Sequence, residues 1–181
     1  TIMLLLLILL LLHNRATSFA VPSPPSLQIP TIDLPINPSN YLLFSDLHLS
    51  PSTLPQCTSL LHHLRSLTRP TPSTCILFLG DFYHSRGSIP VECLNAVFPL
   101  ITSIALNNPI VMIPGNHDIV DFNNLQTSID VFSHIPNVTV VKDTSVIRNA
   151  GFVPYKRSGI VQDLVALGGI KGVDSVFVHD D

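Results

Sequence analysis

The sequence predicts an α/β domain built in layers around a mostly parallel sheet. Through the first half of the chain, short apolar runs alternate with longer stretches whose apolar residues recur at helical spacing. That alternation is typical of strands joined by crossover helices. The first three apolar runs also end abruptly in Asp, His or Asn, and open α/β sheets place their ligands at the carboxyl ends of their strands. A length of 181 residues allows one domain with a real core.

The N-terminal segment has the composition of a targeting signal. Residues Ile2 to Leu12 form an unbroken apolar run, which is too short for a transmembrane helix of roughly 20 residues and matches the apolar region of a signal peptide. Small residues follow between Ala16 and Ala20, as signal peptidase requires. We therefore expect residues 1–20 to be a signal peptide-like segment that leads into the secretory route, with a short membrane anchor as the alternative.

The next stretch, residues 21–40, is rich in Pro and Ser and poor in charge, which indicates a transit segment or linker without a core of its own. The local sequence Ser18-Phe19-Ala20-Val21-Pro22 partly resembles the junction of plastid-targeting presequences in algae with secondary plastids. A plastid destination is therefore one expectation and secretion is the alternative. We expect no stable membrane insertion after processing.

From Tyr41 onward the chain has the periodicity of a folded domain, which we assign to residues 41–181. The predicted strands are Tyr41–Ser45, Cys75–Leu79, Ile110–Ile113, Asn137–Val141, Val153–Tyr155 and Ser175–Val178. The predicted helices are Pro55–Leu67, with Leu60, Leu61, Leu64 and Leu67 at helical spacing, Pro90 to about Leu106, a short helix from Asp121 or Asn123 to Phe132, and about Ser158 to Leu167. We expect Ser145–Arg148 to pair with Asn137–Val141 as a hairpin.

Charge and cysteine content narrow the possible functions. The formal net charge of −3 gives no global basic field for a nucleic-acid partner, although a local groove can still be basic. The three cysteines, Cys57, Cys75 and Cys93, are odd in number and lie in apolar contexts. They predict buried thiols in preference to a disulfide.

Polar side chains gather at the ends of the predicted strands. The blocks are Asp46-Leu47-His48, Gly80-Asp81, Gly115-Asn116-His117-Asp118 and, after the last strand, His179. Carboxylate oxygen and imidazole nitrogen suit hard or borderline divalent metals. Two such ions about 3.5–4 Å apart can clamp a phosphoryl group and activate a water. We expect the glycines before the Asp and the Asn to let the backbone approach a substrate closely.

These blocks resemble the calcineurin-like metallophosphoesterase superfamily, whose pattern is Asp-x-His, Gly-Asp-x-x-Asp, Gly-Asn-His-Asp or -Glu, a lone His, and a late Gly-His-x-His. The first four blocks are present in order between Tyr41 and His179. The resemblance implies a metallophosphoesterase-type sheet sandwich flanked by helices, and a hydrolase that acts on phosphoric ester bonds. It also implies a cofactor of two divalent ions, which can be Mn, Fe or Zn.

The resemblance assigns the metal ligands residue by residue. It implies that Asp46, His48 and Asp81 hold the first metal, that Asp81 bridges the two ions, and that Asn116 and His179 hold the second. The late Gly-His-x-His, which would supply one further ligand to each metal, is absent from the sequence. Because the last predicted strand also runs straight into the end of the chain, we expect truncation at the C-terminus. As it stands, the chain is expected to bind metal weakly and to hydrolyse slowly or not at all.

The resemblance also implies two catalytic residues. His117 would face the substrate and stabilise the transition state or protonate the leaving oxygen, and Asp118 would orient His117 from behind. His84 stands where many relatives have a second Asp, a position that lies behind the ligands. With the following Ser85-Arg86-Gly87, it resembles the subgroup of DNA double-strand-break repair exonucleases.

Three cations are candidate phosphate contacts, namely Arg86, Lys156 and Arg157; for each, a solvated surface charge is the alternative. A phosphate ester is the expected substrate. DNA exonuclease or phosphodiesterase activity and small-molecule or protein phosphatase activity both stay open. The alternative of a different class is an inactive family member that serves as a binding scaffold. The presence of His117 favours the enzyme, because a scaffold has no need of a catalytic histidine.

Overall fold

A computed structural model of the chain describes residues 28–34, 38–68, 74–121 and 126–180. The predicted signal peptide-like segment lies outside these residues, and so does part of the Pro-rich stretch. Within the described ranges, no helix combines the length and the apolar character that crossing a membrane would take.

The elements follow the predicted alternation of strand and helix. In chain order they are β1 (Asn40–Phe44), α1 (Leu54–Thr68), β2 (Thr74–Phe78), α2 (Val91–Ala105), β3 (Ile110–Met112), a 3-10 helix (Asp130–His134), β4 (Val138–Val140), β5 (Ser145–Ile147), β6 (Ala150–Val153), α3 (Ile160–Gly168) and β7 (Ser175–Val178). The short helix expected to start at Asp121 or Asn123 is represented by the 3-10 helix, and residues 122–125 lie outside the described part of the chain.

The first sheet contains four parallel strands in the order β1-β2-β3-β4. Parallel neighbours need long crossover connections, and α1 and α2 provide the first two. All five residues of β2 and all three of β3 are buried, as expected for strands covered on both faces. The prediction of a mostly parallel sheet is therefore confirmed for this half of the domain.

Alternate residues of the central strand β2 face two different layers. Ile76 and Phe78 belong to the apolar cluster formed with α1, α2 and the 3-10 helix. Cys75 and Leu77 belong to a second cluster, which also contains Ile147 and Phe152 of the other sheet. The period of two in side-chain direction thus divides one strand between two cores.

Helix α1 packs on the first of these clusters through Cys57, Leu61 and Leu64. Leu60 and Leu67, which share the predicted helical spacing, are instead 40% and 48% exposed. The three cysteines are free and buried, as predicted.

The second sheet has the order β5-β6-β7, with β5 antiparallel to β6 and β6 parallel to β7. The predicted hairpin between Asn137–Val141 and Ser145–Arg148 is wrong, because Ser145–Ile147 pairs with Ala150–Val153. Arg148 has a positive φ of 58°, and this left-handed residue allows the tight reversal that joins β5 to β6. The strand predicted at Val153–Tyr155 accordingly begins three residues earlier.

The two sheets pack face to face, with α1 and α2 outside the first and α3 outside the second. Leu167 of α3 packs against Val146 and Val153 on the outer face of the second sheet. This arrangement confirms the predicted layered sandwich flanked by helices.

Part of the predicted linker packs against the second sheet. Ile32 N–H donates to the Val146 carbonyl at 2.8 Å, and Val146 N–H donates to the Pro30 carbonyl at 2.9 Å. Ile32 and Leu34 also pack against the cluster between the sheets. Residues 28–34 therefore belong to the folded domain, although the predicted start of the domain is Tyr41.

Candidate metal centre

The loops that follow β1 and β2 are bonded to each other beyond the ends of the strands. Asp46 N–H donates to the Gly80 carbonyl at 3.0 Å, and His48 N–H donates to the Asp81 carbonyl at 3.0 Å. Leu49 N–H continues the series to the Phe82 carbonyl at 2.8 Å. The candidate ligands thus lie on backbone that is held in place by a ladder of hydrogen bonds.

Three of the candidate ligands have left-handed backbone conformations. The φ angles are 55° for Asp46, 43° for His48 and 60° for Asp81. Such values are uncommon for residues other than glycine and persist only where the surroundings enforce them, which is frequent at functional sites. Here the hydrogen-bond ladder supplies that enforcement.

Asp81 lies at the middle of the cluster. It is 5% exposed, and its two carboxylate oxygens face different histidines. Oδ2 lies 3.6 Å from His48 Nε2, and Oδ1 lies 3.5 Å from His179 Nε2. These separations are long for hydrogen bonds, whereas two ligand atoms that each lie about 2.0–2.2 Å from one ion are separated by a similar distance. The residues therefore fit a carboxylate placed between two metal ions.

Asp46 completes one side of this arrangement. Its Oδ1 lies 3.9 Å from His48 Nε2, and the ligand atoms of Asp46, His48 and Asp81 all lie within 4.8 Å of one another. The Ser45 hydroxyl donates to Asp46 Oδ2. His48 Nδ1 is buried and has no hydrogen-bond partner among the described residues. Because Nε2 faces the two carboxylates, Nε2 is the ring nitrogen that is placed to bind a metal.

His179 closes the other side from the second sheet. Its backbone N–H donates to the Val153 carbonyl at 3.1 Å. Its ring nitrogen Nδ1 lies 2.7 Å from the Leu79 carbonyl, which can only accept, so Nδ1 carries the proton and Nε2 is left to face Asp81. A backbone carbonyl that fixes the tautomer in this way is a usual partner of a metal-ligating histidine.

Two glycines make room for this packing. Gly80 has a φ of +104°, and a Cβ atom there would overlap the His179 ring. A Cβ atom on Gly115 would overlap the Asp81 carboxylate and the same ring. These glycines therefore admit side chains of the protein itself, which the sequence does not indicate.

His117 and Asn116 follow Gly115 on the loop after β3. The His117 backbone N–H donates to Asp81 Oδ1 at 3.0 Å, which ties this loop to the centre. The His117 ring meets the His48 ring edge-on, with centroids 5.0 Å apart. Its Nδ1 lies 2.7 Å from the His84 carbonyl, so Nδ1–H is the donor and Nε2 is left for other partners. Asn116 is half-buried.

Asp118 has a different role from the one predicted. The expectation that it orients the His117 ring is corrected, because the His84 carbonyl binds that ring. The buried Asp118 carboxylate instead accepts the backbone N–H groups of Phe82, Tyr83 and Gly115 at 3.0–3.2 Å and the Ser128 hydroxyl at 3.0 Å. Burial raises the pKa of Asp118 above its usual value, while these donors act in the opposite direction. Asp118 thus joins the loops after β2 and β3.

His84 contributes to the site in two ways. Its carbonyl binds His117, and its ring stacks on the His117 ring with centroids 5.8 Å apart. Ring nitrogens of His48, His84 and His117 also lie within 4.8 Å of one another. Sequence reasoning placed His84 behind the ligands and missed this cluster, since the strand-end pattern does not show where the loop after Asp81 folds.

Of the three candidate phosphate contacts, Lys156 binds groups of the protein itself. Its ammonium donates to Asp163 Oδ2 at 2.8 Å and to the Thr144 hydroxyl at 3.1 Å. It therefore fixes the segment between β6 and α3 in place. Arg86 and Arg157 both line a cavity of about 160 Å³ next to Asn116.

Comparison with known proteins identifies the family. A family profile described as calcineurin-like phosphoesterase matches residues 39–180, which include every candidate ligand. The chain belongs to the calcineurin-like phosphoesterase family. The predicted superfamily is confirmed, and the phosphoesterase domain accounts for most of the sequence.

Among solved structures, the chain is similar to the crystal structure of Pseudomonas putida nuclease MPE, with 23% sequence identity and a TM-score of 0.42. The alignment covers 65% of this chain and 55% of that chain, so this chain spans about half of the nuclease chain. At this level of similarity the match does not bear on the substrate. A comparison with curated proteins finds no match.

Proposed function

We propose that the protein is a metal-dependent phosphoesterase that uses two divalent ions, chosen from Mn, Fe and Zn. One observation carries this proposal: the buried Asp81 carboxylate lies between His48 and His179, with one oxygen toward each ring. The separations of 3.6 and 3.5 Å between these carboxylate oxygens and the two Nε2 atoms are long for hydrogen bonds. The same groups satisfy one another when an ion lies on each side.

The proposed ligand assignment comes from the family pattern, and the distances among Asp46, His48, Asp81 and His179 support it. Asp46, His48 and Asp81 would hold one ion, and Asp81, Asn116 and His179 would hold the other. When bound, the two ions supply Lewis acidity toward the phosphoryl oxygens and a water of lowered pKa as the nucleophile. The hydrogen-bond ladder between the loops holds the ligands in advance, so little ordering is needed on loading.

His117 is the proposed general acid. Its Nδ1–H donates to the His84 carbonyl, so in the neutral ring Nε2 has no proton. A proton on Nε2 makes the ring an imidazolium, and the His84 carbonyl continues to accept Nδ1–H in that state. His117 would give the Nε2 proton to the leaving oxygen, a step that typically contributes about 10²–10⁴ in rate.

We further propose a phosphodiester in DNA as the substrate. The support is the His84-Ser85-Arg86-Gly87 stretch, which resembles the double-strand-break repair exonuclease subgroup, together with the position of His84 against His117. A phosphatase that acts on small molecules or proteins is the alternative.

We also propose that residues 1–20 direct the protein into the secretory route, with residues 21–40 leading to a plastid. Fluorescent fusions of these segments would test this.

The variant His117→Ala tests the proposed function in a protein extended by a late Gly-His-x-His block, which would supply one further ligand to each metal. The extended protein without the substitution is the wild type of this test. We expect it to keep the metal content of the wild type while turnover of bis-p-nitrophenyl phosphate and of single-stranded DNA falls about 10²-fold or more. Metal content is measured by mass spectrometry and turnover by product release with Mn²⁺. His62→Ala, on an exposed face of α1, is the control and should match the wild type. Normal turnover in His117→Ala would refute the assigned role. A wild type that binds metal but hydrolyses neither substrate would favour a scaffold.

A further inference from the structure

The cavity beside Asn116 contains a second set of groups suited to a phosphate. Arg86 and Arg157 line it from two different loops, together with Tyr155 and Asp121. We infer that this cavity is a subsite for a phosphate group that neighbours the one held at the metal centre, an inference that rests on the proposed function. The substrate class it selects is one with at least two phosphates in sequence, such as a nucleic-acid strand or a small diphosphate.

The charge of the lining supports this inference. Two guanidinium groups and one carboxylate give a local charge of about +1 on a protein whose formal net charge is −3. Arginine binds phosphate with two parallel donors, and such charge-assisted hydrogen bonds are roughly twice as strong as neutral ones. A local cationic site on an acidic protein is what steers an anion to one place.

The position of the cavity links it to the candidate centre. Asn116 belongs to both, since it is a proposed metal ligand and also lines the cavity. The Tyr155 backbone N–H donates to the Pro114 carbonyl at 3.1 Å, which ties the segment carrying Arg157 to the loop carrying Asn116. A phosphate in the cavity is therefore adjacent to one at the metal centre.

The segment carrying Arg157 is also fixed from its other side. Lys156 forms an ion pair with Asp163, whose side chain is 7% exposed, and contacts Thr144. Because this anchor lies next to Arg157 in sequence, less ordering is needed when the arginine meets an anion. Tyr155 adds an aromatic ring to the lining, and nucleobases stack on such rings.

The test compares the two arginines of this cavity with one arginine of another cavity of similar size. Arg65 lines a cavity of about 140 Å³ at the ends of α1 and α2, away from the candidate ligands, so Arg65→Gln is the matched control for the double variant Arg86→Gln/Arg157→Gln. Binding of a fluorescein-labelled pentathymidylate is measured by anisotropy in EDTA, where hydrolysis does not intervene. Binding of inorganic pyrophosphate is measured by competition.

We expect the double variant to bind about tenfold more weakly than the wild type, and Arg65→Gln to be unchanged. The slope of log affinity against log salt should fall by about 0.7 for each lost strand phosphate contact. Asp121→Asn removes the opposing carboxylate and should strengthen binding of both probes. If the double variant binds both probes more weakly, the substrate is a nucleic-acid strand. If it binds only pyrophosphate more weakly, the substrate is a small diphosphate.

The inference is overturned if the double variant and Arg65→Gln bind both probes equally well and Asp121→Asn has no effect. That result is separable from failure of the proposed function. A protein that hydrolyses esters normally but ignores the arginine changes refutes the subsite alone. A protein extended by the late Gly-His-x-His block that shows the expected binding contrast but no metal-dependent turnover refutes the proposed phosphoesterase activity alone.

Discussion

The two sheets contribute very differently to the candidate centre. The parallel sheet supplies all but one of the proposed residues, from the loops after β1, β2 and β3. The second sheet supplies His179 alone, directly after β7. His179 reaches the centre because the Leu79 carbonyl binds its ring and because Gly80 and Gly115 leave room for it. The parallel sheet therefore forms most of the candidate centre, and packing of the second sheet against it adds His179.

The first prediction concerns the loops of the parallel sheet, which carry most of the proposed site residues. Asp118→Ala removes the carboxylate that accepts three backbone N–H groups across the loops after β2 and β3. Because each buried donor left without a partner costs about 1–3 kcal/mol, we expect a loss of about 3–5 kcal/mol in the free energy of unfolding. Urea denaturation measures it. Asp33→Ala, at an exposed position, should change stability by less than about 0.5 kcal/mol, and an equally small effect of Asp118→Ala would contradict this role.

The second prediction concerns the contact between the two sheets at the His179 ring. In Gly80→Ala, the new methyl group meets the His179 ring and the backbone keeps a φ of +104°. Strain and overpacking together predict a loss of about 2–4 kcal/mol. The control is Gly87→Ala, where φ is also positive, at +70°, but the Cβ would lie at an ordinary 3.7 Å from Val120. Only strain of about 1 kcal/mol is expected there. Equal losses in the two variants would show that the ring of His179 does not occupy the space beside Gly80.

The third prediction concerns how firmly the two sheets pack together, as measured by the reactivity of a buried thiol. Cys75 lies in the cluster that both sheets share, and burial raises the pKa of its thiol to about 12. The thiol is therefore protonated at pH 8, and the stability linked to this raised pKa is fully present below pH 9 and is lost as the pH rises from 9 to about 12. We expect the native protein to resist thiol reagents at pH 8 and the denatured protein to react. Rapid labelling of Cys75 in the native state would show that the sheets separate readily.

The sequence predicts the first sheet well because its strands are defined by local apolar runs and by polar residues at their ends. The predicted pairing of Ser145–Arg148 is wrong because register between short apolar segments depends on tertiary packing and on a left-handed turn at Arg148, which the residue type does not predict. The polar residues at the strand ends likewise indicate the proposed ligands. The contacts of Asp118, Gly80 and Lys156 could not be predicted, since each depends on residues brought together only by the fold.

The most direct test of whether Asp81 serves two metal positions is a count of the Mn²⁺ ions bound per folded chain in three proteins. The count is measured by calorimetric titration, with circular dichroism as a check on folding. With a late Gly-His-x-His block supplied, we predict two ions in the protein without further change, one in His179→Ala, and a loss of both in Asp81→Ala, because the Asp81 carboxylate serves both positions. An Asp81→Ala protein that keeps two ions would contradict the central claim that this carboxylate joins the ligands of the two sheets into one centre.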